Sequence, residues 1–367
     1  MAKIALLVTN LAGSGAEKVV LNLAEMFKKH GEEVHIFLLE DIVSYDVEGL
    51  NIHTLTSKRA FYKLLKGIGD YLLGKKLQTK INKLNQDNKA FDLILSNLPS
   101  ADRVAVQANL PNTYYVIHTS YSMEIEEFKK RNKTTRANKK EKLYHRLYKD
   151  KKLIAVSKGI KEDLDKMKIG YRSCEVIYNP FDIEVIRKQG KEKVSHMIEG
   201  EYLLSASAFR PVKRYDILLE AYSKLTDPPP LKLLCNTNPK LEKMIDTLGI
   251  RNKVEILGFT KNPYPIIKNA KVLILSSERE GLPTVLVEAL ILGTPIVSTN
   301  CISGPSEILT GDFALYLSRV NDVEDLAAKI TKALSNYPQI SDCSVEKFSV
   351  GNIYKEYQRL EDKDDAK

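Results

Sequence analysis

The feature that most constrains this chain is a strand buried on both faces, because only a sheet covered on both sides can hold one. Lys271-Val-Leu-Ile-Leu275 reads as such a run, short, β-branched and leucine-rich. After Ser-Ser-Glu-Arg-Glu280-Gly-Leu, Pro283 suits a first helical position, Gly293 suits the stop, and a second buried strand follows from Pro295 to Ser298. This βαβ unit leaves two carboxylates, Glu280 and Glu288, near the carboxyl end of a strand, where open α/β sheets bind ligands. Their spacing does not make a capping box: Thr284 as cap asks for an acid at position 287, which is Val287. Glu288 shares a helix face with Thr284, within about two turns of a helix start whose free N–H groups favour an anion. The plain alternative is a pair of solvated acids on an exposed face.

The same pattern recurs along the chain. Strands are expected at Ile4–Val8, Glu33–Leu38, Asn51–Leu55, Phe91–Ser96, Tyr114–His118, Lys152–Val156 and Cys174–Tyr178, alternating with helices. A polar stretch from Arg187 to Gly200 then suits a connection. A second series follows at Tyr202–Ala206, Leu231–Cys235, Val254–Leu257, Val272–Leu275 and Ile296–Ser298. The expected fold is α/β, two Rossmann-like doubly wound parallel sheets: 1–185, 186–350, and a terminal stretch 351–367 with a helix and a disordered tail. After the first strand, Gly13-Ser-Gly15-Ala-Glu17 forms a turn in which backbone can approach a ligand. It is not G-x-G-x-x-G, since Lys18 stands at the third glycine's place; with Glu40 at the spacing of a ribose-binding acid the fingerprint is incomplete, which disfavours a dinucleotide site.

Composition narrows the class. With 367 residues and 43% hydrophobic content the chain can bury two cores. Its apolar runs are strand-sized and its start shows no signal-peptide plan, so a cytoplasmic protein is expected. Cys174, Cys235, Cys301 and Cys343 form no C-x-x-C pair and the histidines no ligand set, so no disulfide, metal or cofactor is expected. An Asp163-x-Asp165 pair in a helical stretch is a poor metal site. The net charge of +9 is local: Lys129–Lys152 holds twelve Lys/Arg against Glu141 and Asp150. Phe61–Leu84 adds a basic amphipathic helix with a possible break at Gly74. Core packing explains most of its apolar stripe, and contact with an anionic membrane is the further reading. Nucleic-acid binding through residues 129–152 is disfavoured, because Tyr144 and Tyr148 share one helix face and suit packing better than a stacking platform.

Seven anchors in order then carry a resemblance. They are Gly-Ser-Gly-Ala-Glu at 13–17, Ala155-Val-Ser-Lys-Gly159, Ile177-Tyr-Asn-Pro180, Lys213 opening a helix, Leu257-Gly-Phe259, Glu280-Gly-Leu-Pro283 with Glu288, and Gly304-Pro-Ser-Glu307. Together they resemble the retaining GT-B glycosyltransferases built around an E-x7-E element, over nearly the whole chain. The resemblance implies two Rossmann-like domains facing each other across a cleft, with the terminal helix returning to the first. It implies a nucleotide-diphosphate sugar as donor, with UDP expected, and a metal-independent transfer with retention of configuration and no protein nucleophile.

By the same resemblance, Lys213 and Arg210 are the cations for the diphosphate, and Gly281, Leu282, Pro283, Thr284 and Val285 line the donor beside the helix start. Glu280 holds sugar hydroxyls and Glu288 the ribose. His118 stands near the reacting centre, and Gly13 and Gly15 face the sugar and diphosphate from the first domain. The sequence departs from the pattern at Ser207-Ala208, where relatives carry an arginine that Arg210 could replace, and at Cys235-Asn-Thr-Asn238, where a glycine-rich turn is usual. Charge adds a lipid-linked or phosphorylated glycan acceptor, such as lipopolysaccharide or a polyprenyl-diphosphate glycan, at the inner face of the cell membrane. A nucleotide-sugar epimerase on the same fold is the competing enzyme reading.

Overall fold

The computed structural model describes residues 1–13, 15–85, 90–193 and 200–365, with side chains to 360. The first sheet contains β1 (Lys3–Val8), β2 (Glu33–Glu40), β3 (Asn51–Thr56), β4 (Leu93–Asn97), β5 (Thr113–Ile117), β6 (Lys152–Ala155) and β7 (Ser173–Val176). The second contains β8 (Leu203–Ser205), β9 (Leu231–Leu233), β10 (Val254–Ile256), β11 (Val272–Leu275), β12 (Ile296–Thr299) and β13 (Leu317–Ser318). Their orders are β3-β2-β1-β4-β5-β6-β7 and β10-β9-β8-β11-β12-β13, with parallel pairing throughout. Each sheet winds outward in both directions from its first strand, so each has a switch point, between β1 and β4 and between β8 and β11. The two-residue β13 was not expected, because so short an edge strand leaves no periodic signal.

The chain divides into Met1–Pro180 with Val350–Lys367, and Phe181–Ser349. The division precedes residue 185 because Phe181 donates its N–H to the Phe348 carbonyl (2.9 Å) and sets its ring edge-on to Phe348. In the second unit Leu203, Leu218, Ile274, Val297 and Ile330 meet in one core. The stretch from Arg187 is not simply a connection: a helix runs over Ile183–Gln189, capped by Asp182, and 194–199 lie outside the described residues. In the first unit the helix Val350–Asp365 sets Tyr354 and Tyr357 edge-on to Phe27 of the helix Gly15–Lys29. This corrects the expected tail at its start: once a helix is anchored, each further residue adds a backbone bond at little cost, and the ladder continues to Asp365. Residues 366–367 lie outside the described residues.

The basic segment Phe61–Leu84 is two helices, Arg59–Leu64 and Gly67–Leu84. The break falls at Leu65–Lys66, with Lys66 at φ 50°, and not at Gly74. Gly74 stays helical because it is a packing position: a Cβ there would stand 2.7 Å from Gln107 Cβ and 3.0 Å from the Ala108 nitrogen, in the helix Pro99–Ala108.

The other basic run also folds inward. In the helix Thr134–Tyr148, Tyr144 and Tyr148 are buried and stack with Tyr121 at centroid distances of 3.8 and 5.5 Å. Those rings are unavailable for stacking on bases. Tyr148 donates its hydroxyl to buried Asp102 (2.7 Å), which also accepts from Ser96 (2.6 Å).

Asp163 is likewise structural. It accepts from the Ser120 hydroxyl (2.9 Å), the N–H groups of Tyr121 (2.9 Å) and Ser122 (3.2 Å), and the Ser122 hydroxyl, closing the start of the helix Tyr121–Lys130. Asp163→Ala leaves these donors unsatisfied in a buried place and is expected to cost about 3 kcal/mol. Urea unfolding measures this, and a loss below about 1 kcal/mol contradicts the clamp.

Candidate functional site

In the second unit the site grows from the carboxyl ends of three neighbouring strands. β8 and β11 flank the switch point, and the loops that leave them are laced together: Glu278 donates its N–H to the Val212 carbonyl (2.8 Å), and Ser276 its hydroxyl to the Lys213 carbonyl (2.7 Å). This fixes the turn Pro211–Lys213 against the loop after β11. Lys213 ends that turn, two residues before the helix Tyr215–Ser223, instead of opening a helix as expected; Pro211 forces the early 3-10 turn, and Arg214 in the left-handed region separates the two. The consequence is chemical. Lys213 Nζ reaches Glu280 Oε1 at 2.6 Å across the switch point, with side chains 22% and 11% exposed.

The third loop, after β12, holds this one from behind. Ser303 donates its hydroxyl to the Glu280 carbonyl (2.6 Å), and Thr299 to the Ser277 carbonyl (2.5 Å). Gly304, at φ +92°, packs so closely that a Cβ would lie 2.4 Å from Pro283 Cδ and 2.8 Å from the Gly281 oxygen. Gly281, Leu282 and Pro283 are therefore buried and set. Burial, and then the Glu280 carboxylate, push the Cys301 thiol up to about 12, so this neighbour stays protonated and is no nucleophile.

Pro283 is the cap and Thr284 the first residue of the helix Thr284–Leu292, one residue later than expected. No side chain caps this start, so its N–H groups remain available to an anion. Gly293, left-handed at φ 77°, ends it. The helix is apolar on nearly every side, and Glu288 is only 9% exposed, with the Tyr264 hydroxyl 3.5 Å from its Oε1. A solvated face is thereby excluded for Glu288. Arg210 is exposed and pairs with no carboxylate among the described residues; Arg214 instead binds Asp216 at 2.7 Å and approaches Glu278.

The first unit presents Gly13 at its own switch point and His118 one strand further along, after β5. Gly13 follows β1 at φ +116°, and its N–H donates to Glu17 (2.7 Å) in the first turn of the helix that Gly15 begins; Ser14 lies outside the described residues. His118 follows β5 and is half-buried. Its Nε2 lies 2.9 Å from Asn97 Oδ1, and Asn97 at the end of β4 directs its Nδ2 to the carbonyls of Leu7 and Leu95. The amide oxygen must then accept, so Nε2 carries the proton and Nδ1 is left as an acceptor.

Burial pushes the His118 pKa down to about 4. An unfolded histidine takes its proton near 6.5, so this residue's contribution to stability is complete above that pH and is lost as pH falls through 4. In an NMR titration the His118 ring signals are expected to stay constant from pH 8 to about 5. A midpoint near 6.5 contradicts the burial argument.

Sequence reasoning missed Asn97, Ser303 and Tyr264. Asn97 carried a signal, a polar residue directly after a buried strand; the other two are joined to the site only by folding.

Comparison with known proteins gives the following. The family described as Glycosyl transferases group 1 matches residues 187–347, and Glycosyltransferase Family 4 matches residues 13–185. The N-acetylgalactosamine-N,N'-diacetylbacillosaminyl-diphospho-undecaprenol 4-alpha-N-acetylgalactosaminyltransferase of Campylobacter jejuni is 28% identical over 88% of this chain and 87% of its own. The lipopolysaccharide 1,6-galactosyltransferase of Salmonella typhimurium is 26% identical over 50% of this chain and 52% of its own. Among solved structures, sucrose-phosphate synthase from Thermosynechococcus elongatus superposes with a TM-score of 0.78 at 14% identity, covering 100% of both chains. Anabaena HepE in complex with UDP and glucose superposes with 0.72 at 19% identity, covering 98% of this chain and 99% of its own.

Proposed function

This chain belongs to the group 1 glycosyltransferases of GT-B fold, and from that premise we propose that it moves a hexose or N-acetylhexosamine, with retention, from a UDP-sugar to a hydroxyl of a lipid-linked or surface glycan. The observation that carries the reading is the Lys213–Glu280 pair across the β8/β11 switch point, next to an uncapped helix start. Breaking the bond to the sugar leaves a diphosphate, so the site must stabilise growing negative charge. Lys213 and the N–H groups at Thr284 and Val285 supply that stabilisation without a metal. Glu280 accepts from sugar hydroxyls and buried Glu288 from the ribose, so the two acids are not an acid/base pair. His118, neutral and with Nδ1 free to accept, orients a donor hydroxyl. The acceptor hydroxyl attacks C1 on the face the phosphate leaves, and passes its proton to the departing phosphate oxygen.

The names of relatives support the acceptor class: one acts on a diphospho-undecaprenol glycan and another on lipopolysaccharide. No helix among the described residues is long and apolar enough to cross a membrane. In this reading the enzyme meets its lipid-borne acceptor at the inner face of the membrane. UDP-, GDP- and ADP-sugars should be tested for binding by calorimetry with a chelator present, comparing wild type with Glu280→Gln. A UDP-sugar is expected to bind in chelator and to bind more weakly to the variant. If no nucleotide sugar binds, the reading fails; a new nucleotide sugar formed without acceptor indicates an epimerase instead.

A further inference from the structure

The two helices Arg59–Leu64 and Gly67–Leu84 turn a corner whose outer side is apolar. Phe61 and Leu64 on the first, and Ile68, Tyr71 and Leu72 on the second, are exposed by 40 to 79%. On the second helix, positions 68, 71 and 72 share one face. The opposite face carries Leu73, Leu77 and Ile81, which are buried. The inner stripe is thus explained by packing and the outer one is not. A contiguous apolar patch rimmed by polar groups marks an interaction surface.

The rim identifies the partner. Residues 58–84 contain eight Lys/Arg and a single acid, Asp70. Asp70 is already engaged, 2.9 Å from Arg103 and 3.8 Å from Arg59. Lys58, Lys66, Lys75 and Lys76 are exposed around the patch, and Lys75 and Lys76 lie 5.8 and 5.0 Å from the rings of Tyr71 and Tyr62. Lysines interleaved with apolar side chains are disfavoured at the centre of a protein interface, yet they suit a bilayer surface, where stems enter the acyl boundary and ammonium groups meet lipid phosphates. A second copy of this chain would set like charges against each other across a two-fold axis.

The corner is also rigidly held. Gly69 admits it, since a Cβ there would stand 1.9 Å from the Tyr62 oxygen. Glu40 at the end of β2 accepts from Lys63 (2.7 Å) and from Asn10 (3.1 Å), which ties the corner to the loop after β1 that carries Gly13.

We propose that this corner docks on an anionic bilayer, inserting Phe61, Leu64, Ile68, Tyr71 and Leu72 to the acyl boundary while the surrounding lysines bind lipid phosphates. The purpose of such docking rests on the lipid-borne acceptor proposed above, but its physics does not. The test uses vesicles free of any glycan: phosphatidylcholine alone, and phosphatidylcholine mixed with phosphatidylglycerol, with the full chain sedimented against each. Binding to the mixed vesicles is expected, weakening as salt rises. Leu64→Ser with Ile68→Ser, and separately Lys66→Gln with Lys75→Gln and Lys76→Gln, are each expected to lower partition about tenfold or more. Circular dichroism melts and UDP-sugar calorimetry should be unchanged in both variants, which keeps a docking failure distinct from a failure of the enzyme reading. Equal partition to both vesicle types, unchanged partition of both variants, or a dimer in solution that Leu64→Ser with Ile68→Ser dissociates would each overturn the proposal.

Discussion

Lys213→Ala is expected to lower kcat about a hundredfold or more while the fold survives. The lysine stands where the loops after β8 and β11 meet across the switch point, and its ammonium group lies 2.6 Å from Glu280. A charge that stabilises a departing diphosphate acts mainly in the transition state, so its removal should appear in kcat more than in KM. Glu280→Gln keeps the side-chain shape but removes the charge, and is expected to weaken donor binding as well as turnover, because in the proposed site the sugar hydroxyls lose their strongest acceptor. In Lys213→Ala the Glu280 carboxylate is left nearly buried without its partner, so a lower melting temperature is also expected. Lys213→Arg separates the two effects: it restores a cation for the fold, but the wider planar head cannot reproduce a point charge at the same place. Full stability with low turnover is therefore expected for Lys213→Arg. A kcat within about threefold of wild type in Lys213→Ala would remove the lysine from the chemistry.

Much of this arrangement was legible before folding, and what was not shares a physical reason. Val272–Leu275 and Ile296–Thr299 announce themselves because strands buried on both faces must be continuously apolar. The carboxylates after β11 could be placed by the rule that ligands gather at strand ends. Their environments could not. Glu288 sits in Thr-Val-Leu-Val-Glu-Ala-Leu-Ile-Leu, where apolar residues surround it on every face, and periodicity then says nothing about which side is buried.

Gly74 shows the converse error. A glycine within a helical pattern reads as a break, but here it exists for the close approach of the helix Pro99–Ala108, information held by another segment. The true corner at Leu65–Lys66 lies directly before Gly67-Ile-Gly69, so the glycines that mark the break are these and not Gly74. Charge misled in a similar way. The densest basic run, Lys129–Lys152, spends its aromatics on the core and ties Lys140 to Glu124 and Arg131 to Glu127. Five exposed apolar residues, Phe61, Leu64, Ile68, Tyr71 and Leu72, gather instead around a less basic stretch.

Gly304→Ala is expected to be the most damaging small substitution in the second unit. Two costs act there together. At φ +92° an L side chain is strained whatever surrounds it, and the added Cβ would meet Pro283 Cδ at 2.4 Å, the Gly281 oxygen at 2.8 Å and Leu282 Cα at 3.2 Å. None of these atoms is the far end of a flexible chain. Pro283 caps the helix proposed to face the diphosphate, and the neighbouring Glu280 carbonyl is bonded to Ser303, so relief must come from moving the whole loop. A loss of about 2 to 3 kcal/mol in stability is expected, together with a fall in UDP-sugar affinity of tenfold or more. Gly293→Ala provides the internal control: its φ of +77° gives comparable backbone strain, but nothing lies within 4 Å of the new Cβ. It should cost only about 1 kcal/mol and leave donor affinity unchanged. Denaturant unfolding and calorimetry on the pair distinguish strain from contact, and equal losses in both variants would show that the close packing of Gly304 on the Glu280–Pro283 loop does not set the donor site.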